Sequence, residues 1–252
     1  GLNTASFFGI ETPSESIISY VTAIGFLFVA FASPVLSGVA DYLGNKKFFL
    51  KLFCTIGSLS CMALYFFDLE SLALGLFFYT TALVGFWGSL VFYNSYLPDL
   101  AFPEQQDAIS AKGYSLGYIG SVILLLINLA MLMKYEIFGF ENELEAMRVS
   151  FLLVGIWWLG FSQITYRYLP DFRNDKKIER HIFFSGIKEL KKVFHKLADY
   201  PALKRYLTAF FVYSMAVQTV MIIAAYFGEK EVLWVSDEQR TSGLIISILL
   251  IQ

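Results

Sequence analysis

Long apolar runs constrain the fold of this sequence more than any other feature. Six runs of about 20 residues or more carry few charged side chains: 17–40, 48–67, 71–93, 113–133, 148–168 and 206–227. Because an α-helix rises about 1.5 Å per residue, about 20 such residues cross the roughly 30 Å hydrocarbon core of a bilayer. The runs therefore predict an all-α integral membrane protein built as a helical bundle.

The composition excludes an ordinary soluble domain. The 252 residues are 57% hydrophobic and 16% charged, whereas soluble domains are about 45–50% apolar and about 25% charged. No run carries a charged residue in its middle third, and Lys51, Arg148 and Arg167 lie near run ends, where long side chains reach the headgroups. The chain begins at Gly1 rather than methionine and ends inside a seventh apolar run that starts near Thr241, so we expect a fragment of a longer membrane protein.

Lysine and arginine are concentrated in alternate loops. With their flanking residues, loops 41–47, 94–112 and 170–205 hold 15 of the 19 basic side chains. The loops at 1–16 and after the second, fourth and sixth runs hold the other four. Since basic residues favour the cytoplasmic side, we predict that the first set of loops is cytoplasmic and that residues 1–16 form a non-cytoplasmic loop.

The longest loop, 170–205, contains a basic amphipathic segment. Apolar residues recur there at helical spacing, and lysines occupy the other faces. The residues are Phe183, Ile187, Leu190, Phe194 and Leu197, with Lys188, Lys191, Lys192 and Lys196. We predict a helix that contacts anionic lipid or the other bundle; a solvated linker helix without specific contacts is the alternative. The loop divides the chain into a bundle at 1–169, a linker at 170–205 and the start of a second bundle at 206–252.

A compact turn, SGVADYLGNKKFF at 37–49, separates the first two runs. Gly38 allows a neighbouring helix to approach closely, and Gly44 allows a left-handed turn. Asp41 can accept hydrogen bonds from a helix N-terminus or pair with a cation. Lys46 and Lys47 hold the loop on the cytoplasmic side. A simple basic loop with a turn glycine is the alternative interpretation.

These five residues resemble the turn motif between the second and third helices of the major facilitator superfamily. The resemblance implies two six-helix bundles, with helices 2–7 and the start of helix 8 of an expected twelve in this chain. It also implies a cytoplasmic gate, formed by Gly38, Asp41, Gly44, Lys46 and Lys47, that latches the bundles in one of two states. Tyr42 replaces the basic residue that often follows the aspartate, which puts part of that charge relay in doubt.

Two further segments resemble the vacuole effluxer family within that superfamily. They are VFYNSYLPDLA at 91–101 and ISAKGYSLGYIGSVILLLIN at 109–128, and YSMAVQTVMIIAAYFG at 213–228 adds to the likeness. The matching residues are Tyr93, Asn94, Leu97, Pro98, Asp99, Ser110, Gly113, Gly117, Tyr118 and Gly120.

The effluxer family includes fungal autophagy-related amino-acid effluxers and bacterial relatives. The resemblance implies a secondary active transporter, a permease or effluxer, for small polar metabolites, with amino acids as the expected class. It implies transport by alternating access. The expected location is a bacterial cytoplasmic membrane, or the vacuolar membrane if the protein is fungal.

Polar residues inside the spans are the candidates for a substrate pathway. Gln218 and Thr219 lie near the middle of the sixth run, Tyr213 and Ser214 lie about one turn earlier, and Asn128 lies past the middle of the fourth run. Since an unpaired amide in hydrocarbon is costly, each is expected to face another helix or a water-filled cavity. The family's seventh helix borders the central cavity, which makes Gln218 the preferred substrate contact, with an interhelical hydrogen bond as the alternative. For Asn128 the interhelical hydrogen bond is favoured.

A face of small residues lies within the fourth run, near its start. Gly113, Gly117 and Gly120, with Ser121, recur at helical spacing. Such a face lets two helices approach closely. We expect it to lie against protein, either as a contact that moves during transport or as static packing.

The sequence does not contain the residue patterns that several kinds of chemistry require. No aspartate, glutamate, histidine or arginine lies in the middle of a span, so a proton-coupling residue would lie elsewhere in the full protein, or transport is not proton-driven. No histidine cluster, catalytic serine or cysteine arrangement, or Gly-x-x-x-x-Gly-Lys phosphate loop occurs. We therefore expect no enzyme activity and no metal, cofactor or nucleic-acid partner. The expected partners are the lipid bilayer and a small-molecule substrate; a transporter-like scaffold or sensor without transport is the alternative function.

Overall fold

The computed structural model describes residues 4–7, 10–68, 71–171, 191–192, 194–236, 239–240 and 243. Side chains are described for these residues apart from 4–16, 41–43, 221–223, 225–226 and 229–230. Most of the predicted linker and of the seventh apolar run lies outside this part. Of the predicted amphipathic helix, residues 191–192 and 194–197 are described, and they are helical.

The described chain consists mainly of long helices. Its elements in chain order are β1 Thr4–Phe7, β2 Ile10–Pro13, α1 Ser14–Leu43, α2 Lys46–Ala63, α3 Leu72–Asn94, α4 Leu97–Leu100, α5 Gln106–Met133, α6 Glu143–Tyr168 and α7 Pro201–Lys230. Short 3₁₀ turns follow α2 at Leu64–Phe66 and precede α5 at Pro103–Gln105.

The six predicted spans coincide with helices, which confirms the helical membrane fold. In the described part, five stretches are long and apolar enough to cross a bilayer: Ile17–Ala40, Lys46–Phe66, Leu72–Leu100, Pro103–Met133 and Glu143–Tyr168. The remaining predicted span, 206–227, lies within α7, whose 30 residues give it sufficient length to cross.

The N-terminal segment 1–16, predicted as a loop, contains a two-stranded antiparallel hairpin. β1 pairs with β2 so that Thr4 lies opposite Pro13 and Phe7 opposite Ile10. The backbone groups of this segment therefore pair locally before α1 begins at Ser14.

The chain divides into two compact units. The first comprises residues 1–113 and 124–190, and the second comprises residues 114–123 and 191–252. In the second unit the indole nitrogen of Trp234 donates to the carbonyl oxygen of Gly228 at 2.7 Å, near the end of α7. The expected division into bundles at 1–169 and 206–252 with a linker at 170–205 stays a prediction.

Helix α2 is the centre of the first unit, because α3 and α6 both pack against it through glycine. A Cβ atom on Gly85 of α3 would stand 2.5 Å from the Cα atom of Gly57 on α2. A Cβ atom on Gly155 of α6 would stand 2.6 Å from the carbonyl oxygen of Ser58. Gly57 also lies beneath the ring of Trp158. Since no side chain fits at these crossings, glycine sets how closely the three helices approach.

Two contacts show how hydroxyl groups between these helices are satisfied. Ser58, which is fully buried, donates to the carbonyl oxygen of Cys54 on its own helix. One pair joins two helices: the hydroxyl oxygens of Thr22 on α1 and Tyr79 on α3 lie 2.8 Å apart. Pairing of this kind is required where water is excluded.

Replacing Gly85 with leucine is expected to destabilise the full-length protein by about 1–3 kcal/mol, because the added side chain forces α3 away from α2. The thermal unfolding midpoint of the detergent-solubilised protein measures the effect. Gly160→Leu on α6 is the matched control, since a Cβ atom at Gly160 meets no described atom within 4 Å. An equal loss of stability in both variants would show that glycine contact is not the cause.

Candidate functional site

The predicted turn between α1 and α2 is tight and left-handed at its glycine. Gly44 has a φ of +62°, and the amide of Asn45 donates to the carbonyl oxygen of Ala40 at 3.0 Å. A helix that ends in this way has a Schellman-type cap, in which glycine best tolerates the positive φ. The prediction of a left-handed turn at Gly44 is confirmed. The end of the first unit at which this turn lies is called the turn end below.

Lys46 joins the turn to the end of α3. Its Nζ atom lies 3.1 Å from a carboxylate oxygen of Asp99 and 3.3 Å from the carbonyl oxygen of Ser95. The two side chains are 21% and 31% exposed, so the pair is partly shielded from water. Lys46 belongs to the predicted gate motif and Asp99 to the family motif, and the structure brings these two motifs together.

Lys47 contacts a third helix. Its Nζ atom donates to the carbonyl oxygen of Leu169 at 2.8 Å, one residue past the end of α6. The hydroxyl of Tyr96 lies 3.3 Å from the carbonyl oxygen of Pro170. The two lysines of the turn therefore point to different partners, one at the end of α3 and one just beyond α6.

An apolar cluster supports these polar contacts. Its buried members are Ala40, Leu50, Cys54, Phe92, Tyr96, Tyr166 and Leu169. The ring of Phe92 stacks on Phe49 and Phe53 with centroids 5.3 and 5.8 Å apart, and the Nζ atom of Lys51 lies 5.4 Å from the centre of the Tyr166 ring. Residues of α1, α2, α3 and α6 thus meet at the turn end.

Of the predicted gate motif, the structure describes Gly38 in full but only the backbone of Asp41. The side chain of Asp41 lies outside the described residues, although its backbone belongs to α1. Gly38 is half-buried, and it precedes Asp41 by three positions, one position fewer than the usual Gly-x-x-x-Asp spacing of the motif. The latch between two bundles therefore stays a prediction.

The family-motif residues follow the end of α3 and the start of α5. Tyr93 and Asn94 are exposed in the last turn of α3, and Pro98 is the second residue of the short helix α4. The Tyr93 hydroxyl lies 3.2 Å from where a Cβ atom on Gly113 would stand. Asp99 of this motif pairs with Lys46.

Among the described residues, nothing packs closely against two glycines of the small-residue face of α5. A Cβ atom at Gly117 or Gly120 would meet no described atom within 4 Å. The close helix contacts lie instead at Gly57, Gly85 and Gly155. The expected protein contact at Gly117 and Gly120 is not made by the described residues and stays a prediction.

The candidate pathway residues of α7 share one helix but not one face. At 100° per residue, Ser214 and Gln218 lie within about one turn on the same side, while Tyr213 and Thr219 flank them. Tyr213 is 67% exposed, Gln218 and Thr219 are exposed, and Ser214 is half-buried. The helix therefore presents a hydroxyl and an amide side by side.

Asn128 lies on a different kind of surface. It shares its face of α5 with Leu124 and Met131, which are both buried. Its amide oxygen is buried and has no hydrogen-bond partner among the described residues. The position favours a contact with protein over a substrate contact, but the predicted interhelical hydrogen bond is not made within the described part.

The first unit also contains an apolar groove of about 560 Å³ between α1, α2 and α3. Its walls include Phe28, Phe53 and Phe77. The hydroxyl groups of Thr80 and Thr81 also line it, and both donate to carbonyl oxygens of their own helix. A polar metabolite needs convergent free polar groups, which this groove does not offer in the described residues. Nor do the described residues bring three metal-ligating side chains together.

Sequence reasoning missed the pairing of Lys46 with Asp99 and the contact of Tyr96 with Pro170. One signal was available for the first contact. Loops 41–47 and 94–112 are predicted on the same side of the membrane, and they contain the oppositely charged residues Lys46 and Asp99. The partner of Tyr96 had no such signal, because a backbone carbonyl group is invisible in a sequence.

The comparisons with known proteins agree with the resemblance. A model of the family described as vacuole effluxer Atg22 like matches residues 2–251. The chain belongs to this family. It is 32% identical over 216 residues to an uncharacterized MFS-type transporter, YxiO, of Bacillus subtilis, covering 85% of this chain and 50% of that protein. It is 24% identical over 297 residues to autophagy-related protein 22-1 of Aspergillus clavatus, covering 89% and 48%.

No solved structure gives a significant match. The chain spans about half the length of these curated relatives. Membership of the Atg22-like family and the five candidate spans make it part of a multi-pass membrane protein with a major facilitator-type helical bundle. The name of the Bacillus subtilis relative describes a transporter.

The Lys46–Asp99 pair is expected to couple by about 1 kcal/mol, since it is partly shielded but still reached by water and salt. Lys46→Gln, Asp99→Asn and the double variant form a double-mutant cycle in unfolding of the full-length Atg22-like protein. The same cycle with Asp107→Asn, an exposed residue in the first turn of α5, is the control. A coupling near zero for Asp99, or one equal to that of Asp107, would contradict the pairing.

Proposed function

We propose that the full protein is a secondary active transporter of small polar metabolites, with amino acids as the expected class, that works by alternating access. The observation that supports this most is the junction at the turn end. Lys46 binds the carbonyl oxygen of Ser95 at the end of α3 and the carboxylate of Asp99 in α4, and Lys47 binds the carbonyl oxygen of Leu169 just past α6. Alternating access requires a bundle that moves as one body. A junction of this kind makes the helices of the first unit suited to such movement.

The turn has a separate role in controlling that movement. Lys46 is neutralised by Asp99 within the first unit, so contact with the other bundle falls to Asp41 at the end of α1. In this proposal the turn end faces the cytoplasm together with loops 94–112 and 170–205, in keeping with the distribution of lysine and arginine. Residues 170–205 then contact anionic lipid or the other bundle.

Substrate recognition is assigned to the polar face of α7. The amide of Gln218 can both donate and accept, and the hydroxyl of Ser214 lies one turn away. Groups of this type suit the carboxylate and ammonium groups of an amino acid. Tyr213 and Thr219 flank the pair on the exposed surface of the helix.

The energy source is constrained by the charges of the spans. Aspartate, glutamate, histidine and arginine are missing from the middle of the six spans. Proton-coupled transport usually needs such a group within the membrane. We infer that a coupling group, if the protein uses protons, lies in the part of the protein beyond these spans.

Substitution of Gln218 by alanine is expected to weaken substrate affinity roughly fivefold to tenfold, because one hydrogen bond is worth about 1 kcal/mol. The measurement uses full-length protein in proteoliposomes with labelled amino acids, with and without a pH gradient. Val220→Ala, on the opposite face of α7, is the matched control and should leave transport unchanged.

Each result of that assay bears on the proposal. Normal flux in Gln218→Ala would remove this residue from the pathway. Absence of flux for every amino acid and gradient would count against the transporter and favour the scaffold or sensor.

Asp41→Asn is expected to reduce flux by at least about tenfold, equivalent to about 1.4 kcal/mol, with normal membrane insertion. The physical reason is loss of the negative charge that latches the other bundle. Asp68→Asn, an exposed residue at the opposite end of the first unit, serves as the control. Flux that is unchanged in Asp41→Asn would exclude the aspartate from the mechanism.

A further inference from the structure

The segment that follows α6 is contacted by side chains from other parts of the first unit. α6 ends at Tyr168, and Leu169 has an extended backbone with φ −68° and ψ 133°. Pro170 then prevents the helix from continuing, because it has no amide hydrogen. Residues Leu169–Asp171 are called the exit segment here. Carbonyl groups at a helix end need partners from outside the helix.

Two side chains from other elements supply those partners. Lys47 of α2 donates to the carbonyl oxygen of Leu169 at 2.8 Å, and Tyr96 of the α3–α4 connection contacts that of Pro170 at 3.3 Å. Leu169 is 9% exposed and Tyr96 is 2% exposed. Both contacts therefore lie at the edge of the buried cluster, where competition from water is limited.

The position of Lys47 indicates which helix it serves. It stands in the first turn of α2, which has no acidic residue and no side-chain cap. A positive charge there is unfavourable, because the N-terminal end of a helix is itself positive. The C-terminal end of α6 is negative, so the same charge is favourable at Leu169. Lys47 therefore stabilises the end of α6 and not the start of its own helix.

The neighbouring lysine does something different. Lys46 carries the same charge in the same turn, but its partners are Ser95 at the end of α3 and Asp99 in α4. The turn thus holds two helix ends with two separate side chains. Loss of one contact leaves the other in place, which makes the roles of the two lysines separable by mutation.

We propose that Lys47 and Tyr96 form a clamp on the exit segment, so that the α1–α2 turn and the start of the chain leading from α6 move together. Tyr96 restrains the segment from the side of α3, and Lys47 restrains it from α2. Both are positioning residues. A displacement of the turn would then be passed directly to the linker, and this holds whether or not the protein transports.

Hydrogen–deuterium exchange of the full-length protein in detergent tests the clamp, read on the amides of residues 166–169 and 171. Lys47→Met removes the charge at nearly constant length, and Tyr96→Phe removes one oxygen while the ring stays in the cluster. Each is expected to speed exchange of these amides about tenfold, because the last turn of α6 opens more often. Lys47→Arg, which keeps the charge and the donors, should restore the slow rate.

Lys46→Met is the matched control, since it breaks the contact with Asp99 and leaves the exit segment alone. Unchanged exchange in Tyr96→Phe or Lys47→Met would overturn the clamp. So would an equal increase in Lys46→Met, or an increase spread over α2 and α3, since either result means general loosening. If Lys47→Met does not fold, Tyr96→Phe decides the question alone.

Discussion

The structure of the first unit depends on glycine contacts at the centre of α2. In a bilayer, apolar side chains gain little by leaving lipid for protein, so helix association depends on close packing. Gly85 against Gly57 and Gly155 against Ser58 bring α3 and α6 onto α2 without intervening side chains. The polar contacts at the turn end follow from this approach, because lysine side chains at the start of α2 can reach two helix ends only when those ends are near.

The turn end therefore concentrates the charged contacts of the described part. Charge is costly in the hydrocarbon core, whereas the ends of helices lie near water and headgroups. Lys46 and Lys47 satisfy a carboxylate and two carbonyl groups there. Directional polar bonds at the helix ends complement non-directional packing at the centre. The glycines therefore set the distance between neighbouring helices, and the lysines set how the helices are aligned along their length.

The spans and the left-handed turn could be predicted because their causes are local. A spanning helix requires a run of about 20 apolar residues, and Gly44 is the residue that tolerates a positive φ. The packing could not be predicted in the same way. Gly113, Gly117 and Gly120 have the regular spacing of a contact face, yet the close contacts lie at Gly57, Gly85 and Gly155. Small residues allow two helices to approach closely, but the tertiary fold decides which helices lie next to each other. Lys46 and Asp99 are separated by 53 residues in the sequence. They come together because α3, which ends shortly before Asp99, packs against α2, which begins at Lys46.

On the proposed function, the polar groups assign movement to the first unit and substrate recognition to α7. The groove of the first unit is lined mainly by apolar side chains, and its two threonine hydroxyls are engaged by their own helix. Thr22 and Tyr79 are likewise engaged with each other. A polar substrate needs donors and acceptors that are free before it binds, since displacing an internal hydrogen bond offsets the gain. On the proposed function, α7 meets this condition better than the first unit, because Ser214 and Gln218 stand one turn apart on a helix whose neighbouring positions are exposed.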